Sequence, residues 1–81
     1  MLQFKGDDKA NLYHIADSIR EIHSYVGNKD YNTFARDSTC VEEVVKQMNN
    51  IGGAAKMLSD EFKSYFNSIN WESLVTLENT A

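Results

Sequence analysis

Apolar residues recur at helical spacing almost from the start of this chain. Leu12, Ile15, Ile19, Ile22 and Val26 lie three and four residues apart in alternation, which sets all five on one helical face. Asp7 and Asp8 stand where an N-cap or first-turn acid belongs, and Gly27-Asn28 reads as a stop. The pattern therefore predicts a first helix over roughly residues 8–26. Turn formers (Gly27, Asn28, Asp30, Asn32) then surround Tyr31 and Phe34. Residues 27–38 read as a connector with one short helical turn, tied to the core by its two aromatics. A second long helix opens near Thr39, where Thr39-Cys40-Val41-Glu42 has the capping-box pattern. Its apolar face runs Val41, Val44, Met48, Ile51, Ala55 and Leu58, widened by Val45, and predicts a helix over roughly 39–58.

Beyond residue 58 the pattern allows two readings. Ser59-Asp60 caps a short third helix with Phe62, Tyr65 and Phe66 inward, or the second helix runs on through the same spacing. Asn67-Ser68-Ile69-Asn70 reads as a turn, and Asn70 caps a last helix with Trp71, Leu74, Val75 and Leu77 inward. Glu78-Asn79-Thr80-Ala81 contains no Gly, Pro or basic last turn to end it, so a further element is expected to follow. The whole chain, 1–81, reads as a single all-α domain.

Composition narrows this picture. A chain of 81 residues holds one domain and buries only roughly 60–65% of its unfolded surface, so self-association would help it. There is no proline to interrupt a helix. Twelve acidic residues against eight basic ones give a net charge of −4, a poor surface for RNA, whose binding rests on Lys and Arg neutralising phosphates. Cys40 is the single cysteine, which excludes an internal disulfide and fits a reducing compartment. The first residues hold no apolar leader, and no apolar run approaches a membrane span. A cytoplasmic location is expected.

Candidate chemistry is sparse. His14 and His23 are nine residues apart on one helix, about 180° around it, and cannot share a metal within the chain. The acid pairs Asp7-Asp8, Glu42-Glu43 and Asp60-Glu61 sit near helix starts, where the helix dipole accounts for them. Cys40 has no visible base to activate it. Gly52-Gly53 interrupts an amphipathic helix rather than following a strand, so it reads as a site of close helix packing and not as a phosphate loop. Two such glycines cost about 1 kcal/mol each relative to alanine. Trp71 reads as a core anchor. No catalytic residue, cofactor or metal site is expected from spacing alone.

Several segments resemble one family in order and spacing, the HepT-like members of the HEPN superfamily. The Ile-rich first helix (Ile15, Ile19, Ile22) closes on Tyr25-Val26, and a Phe34…Asp37 connector follows. The most distinctive block is Ile51-Gly52-Gly53-Ala54-Ala55-Lys56, succeeded at family spacing by Ile69-Asn70-Trp71 and Leu77-Glu78-Asn79. The resemblance covers about residues 11–81 and implies an up-down antiparallel four-helix bundle whose last helix is missing or incomplete. Gly53 and Asn70 depart from the family's Glu and Pro.

The resemblance also implies a chemistry and partners. The family's metal-independent ribonuclease motif is an Arg followed four to six residues later by His, assembled across a dimer. Arg stabilises the charged phosphate of the transition state and His moves a proton. Here Glu78 stands at the Arg position, Asn79 keeps the Asn, and the His would fall beyond Ala81, so both catalytic members are absent. Three expectations result. The first is a toxin-type component of a toxin–antitoxin pair in which residues 1–81 do not cut RNA, its partner a minimal nucleotidyltransferase antitoxin that modifies a tyrosine lying further on. The second is a non-catalytic module that keeps only the dimerising or antitoxin-binding surface. The third is a generic helical interaction domain with another winding. A homodimer or higher oligomer is expected, with RNA a partner only if the chain is active, and no membrane.

Overall fold

The computed structural model describes residues 6–79, the side chain of Asn79 excepted; residues 1–5, Thr80 and Ala81 lie outside the described residues. Helix α1 spans Asp8–Val26, as its spacing predicts. It stops at Gly27, whose φ of 52° suits glycine and turns its N–H onto the His23 carbonyl at 2.8 Å. Helix α2, Tyr31–Arg36, is the helical turn of the connector. Its cap Asp30 accepts from the Thr33 N–H at 2.8 Å, and this bonding holds the carboxyl below its ordinary range. Tyr31 does not tie the connector to the core: it is 80% exposed, because so short a helix buries one side and Phe34 occupies it.

Helix α3 spans Ser38–Met57. The capping box at Thr39 is not its start. Asp37, in extended backbone, accepts from the Cys40 N–H at 3.0 Å and leaves Thr39 inside the first turn. A carboxylate satisfies the same orphan donors and gains from the positive end of the helix. Leu58 and Ser59 are extended, so the third helix is separate and not a continuation. This α4, Asp60–Tyr65, is capped by Ser59 Oγ, which accepts from the Phe62 N–H at 3.1 Å. Helix α5, Trp71–Val75, is capped by Asn70 and tightens into a 3-10 turn over Thr76–Asn79. No strand occurs among the described residues.

Contacts at the helix ends fix the topology. The last turn of α1 meets the first turn of α3, where Tyr25 accepts at its carbonyl from Cys40 Sγ, 3.2 Å away. The first turn of α1 meets the end of α3, where Asp8 reaches Ser59. The two long helices are therefore antiparallel. The edge-on contact of Trp71 with Phe62, 5.7 Å between centroids, starts α5 beside the end of α3, and its 3-10 turn returns as far as Gly52. Three legs of an up-down helical bundle are in place.

The core belongs to α3 and its continuation. Cys40, Val44, Ile51, Ala54, Ala55, Leu58 and Phe62 are buried. Trp71 is half-buried and donates its indole N–H to the Phe66 carbonyl at 3.1 Å, while Tyr65, expected inward, is exposed. The residues α1 fully buries are polar, Asp8 and Ser18. Its inward line is rotated from the expected one: Ser18 takes the inner position and Ile19 is 45% exposed. Both choices keep the 3-4 spacing between Ile15 and Ile22, and the small Ser18 faces the small Ala54 across the crevice between the helices. The molecule measures 46 × 20 × 20 Å with a radius of gyration of 14.3 Å. A closed globule of this length would have about 12 Å. The excess reflects a flat hairpin whose outer helix is covered on one side.

A buried polar clasp joins the ends of the hairpin. Asp8, 1% exposed, accepts from the Ser59 N–H at 2.8 Å and from Ser59 Oγ at 2.6 Å, across fifty-one positions of sequence. Asp8 thus does more than face a helix dipole. Replacing it with alanine leaves the buried Ser59 N–H without this acceptor, at about 2–3 kcal/mol. Ser59→Ala should cost about 1–2 kcal/mol, and the double variant less than the sum by about 1 kcal/mol, read from urea midpoints.

The two glycines of α3 separate. A Cβ on Gly52 would lie 2.2 Å from the Glu78 amide nitrogen and 2.8 Å from the Leu77 carbonyl carbon, both backbone atoms that no rotamer can move. A Cβ on Gly53 would meet nothing within 4 Å, so close packing accounts for Gly52 alone. Gly52→Ala should lower unfolding stability by at least about 2 kcal/mol by overpacking. Gly53→Ala should raise it by up to about 1 kcal/mol by helix propensity. Chemical denaturation of the pair measures both.

Candidate functional site

The Gly52 contact determines where the C-terminal turn lies, and with it the setting of Glu78. Because the backbone of residues 77–78 rests on α3, Glu78 stands at the mouth of a groove between α1 and α3. The groove has a volume of about 670 Å³. From α1 it receives His14, Asp17, Ser18 and Glu21, one side of the helix by their spacing. From α3 it receives Gln47, Asn50 and Gly53, and Met57 stands at its end, 66% exposed.

Its chemistry is carboxylate and carboxamide. Asp17 pairs with Arg20, and Glu78 approaches Lys56 at 3.9 Å; all four side chains are well exposed, so these pairs neutralise the groove weakly. Glu21 has no ion pair among the described residues. Ser18 is 5% exposed, and its hydroxyl makes no hydrogen bond among the described residues. No lysine or arginine lines the groove.

The residues singled out by sequence are scattered. Glu78 and His14 share the groove. His23 is exposed elsewhere on α1, where its carbonyl caps Gly27. Cys40 is buried at the start of α3, 3.5 Å from Lys29 Nζ, away from Glu78. Glu42 and Glu43 lie beyond the first turn of α3, so the helix dipole does not account for them. Glu43 instead faces the Tyr25 hydroxyl at 3.4 Å. Burial and then the Glu43 charge raise the Tyr25 phenol above its ordinary value. Asp60 and Glu61 do occupy the first turn of α4. The Asn79 side chain lies outside the described residues. Among those residues no three His, Cys, Asp or Glu side chains gather as metal ligands, and no helix is long and apolar enough to cross a membrane.

Sequence reasoning missed Ser18, Glu21 and Gln47 as groove residues. One signal was available: a serine between Ile15 and Ile22 at inward spacing, beside an isoleucine at the same spacing.

Comparison with known proteins adds relatives from one archaeon, Methanocaldococcus jannaschii. The chain is 29% identical over 93% of its length to "Putative RNase MJ1380" and 25% identical over 90% to "Putative RNase MJ0127". It is 30% identical over 90% of its length to "Gamma-glutamylcyclotransferase and putative RNase MJ0434". The matches span 69%, 60% and 33% of those proteins. No protein-family model and no solved structure matches the chain.

Glu78 is held in place by its backbone and not by its charge. Glu78→Gln should therefore change stability by less than about 1 kcal/mol, as expected for an exposed pair. Thermal melts at matched ionic strength read the change; a loss like that of Gly52→Ala would show that the side chain holds the turn.

Proposed function

We propose that this chain is a ribonuclease-like helical protein of the HepT-like HEPN type, a toxin-type component of a toxin–antitoxin pair in which residues 1–81 lack the chemistry to cut RNA. The relatives with ribonuclease in their names support the broader half of this reading. One observation carries the narrower half. The two blocks most distinctive of the resemblance, Ile51-Gly52 and Leu77-Glu78, are a single backbone contact, and it delivers a carboxylate where the motif needs a cation. A glutamate in an acidic groove repels the phosphate that an arginine would stabilise.

The acidic groove favours a second reading beside the first, a non-catalytic module that dimerises and pairs with a minimal nucleotidyltransferase. The half-covered apolar line of α1, with Leu12, Ile15 and Ile22 half-buried and Ile19 exposed, supplies surface for such assembly.

Purified protein incubated with tRNA and mRNA should leave both intact over hours. Specific cleavage abolished by one substitution, His14→Ala first, would overturn the proposal and place acid–base chemistry in the groove.

A further inference from the structure

We propose that the groove between α1 and α3 is the docking site of an arginine-bearing segment of a partner protein. This goes beyond the ribonuclease-like reading and does not depend on it.

Two independent observations point to an occupant. The first is charge: Asp17, Glu21 and Glu78 line the groove, with only exposed, weak pairing to Arg20 and Lys56 outside it. The second is Ser18, nine-tenths buried, lining the groove, its hydroxyl without a hydrogen bond among the described residues. Buried hydroxyls are normally bonded, so this one marks a place where a donor or acceptor is to arrive.

The lining selects the chemistry of that occupant. Carboxylates and the carboxamides of Gln47 and Asn50 offer acceptor oxygens from two facing helices. A guanidinium carries five donors in one plane and a permanent charge, so it can bridge such acceptors; an ammonium is a point charge with three donors. A volume of about 670 Å³ exceeds one side chain and admits a length of backbone. Gly53 leaves the wall bare there, with open space where a Cβ would stand. A nucleic acid is disfavoured by the same carboxylates and by the net charge of −4.

The test is an NMR titration of the ¹⁵N-labelled protein. The probe is a capped, alanine-based peptide of about fifteen residues with two arginines four apart, set against analogues carrying lysine or glutamine at those positions. The arginine peptide should shift the amides of Ser18, Glu21, Asn50 and Gly53. The lysine analogue should bind at least about threefold more weakly and the glutamine analogue not at all. Ser18→Ala and the exposed Glu21→Gln should each weaken binding about fivefold, while Glu42→Gln, outside the groove, should leave it unchanged. Shifts spread evenly over Glu42, Glu61 and Glu72 would overturn the proposal. So would tighter occupation of the same amides by a single-stranded RNA oligonucleotide. Groove amides that shift on dilution while the particle mass halves would make a second copy the occupant and equally refute it.

Discussion

One approach of backbone to backbone organises this molecule: Gly52 of α3 against Leu77 and Glu78 of the C-terminal turn. Nothing but hydrogen fits between them. A glycine inside a twenty-residue helix weakens that helix, and here the weakness admits the third leg of the bundle. With that contact in place, α5 lies along α3, Trp71 meets Phe62, and Glu78 stands at the groove. Its neighbour Gly53 has no such contact and instead leaves one wall of the groove bare.

The other long helix is fastened differently. α1 is held at its two ends by polar bonds, Asp8 to Ser59 at one and the Tyr25 carbonyl to Cys40 Sγ and Lys29 Nζ at the other. Between the clasps it turns Ser18 inward and leaves a polar crevice along its flank. Polar bonds at the ends with a small residue in the middle give fixed alignment without a filled interface. The groove is therefore a consequence of how α1 is attached, and its acidity follows from which α1 residues share that side.

Much of the fold was legible in the sequence because it rests on periodicity. The 3-4 spacing located α1 and α3 to within a residue or two, and Gly27, Ser59 and Asn70 marked the punctuation by their own chemistry. Two kinds of information were not legible. Rotation about a helix axis is underdetermined when Ser18 and Ile19 both satisfy the spacing, and only the partner surface chooses between them. Long-range polar pairing has no local signature, so Asp8 looked like any first-turn acid and Asp37 was passed over in favour of Thr39. The groove depends on both kinds, which is why His14, Ser18 and Glu21 had no common meaning along the chain. Gly52-Gly53 carried a packing signal, but the sequence alone could not say which of the two was pressed.

The most direct measurement is a nuclear Overhauser contact between the Gly52 α-protons and the Glu78 amide proton. The account predicts a strong cross-peak, because the site a Cβ would occupy is 2.2 Å from that nitrogen. Its absence, with α3 still helical, would mean that the C-terminal turn lies elsewhere. Glu78 would then have no assured place in the groove, and the reading of that groove would fail with it.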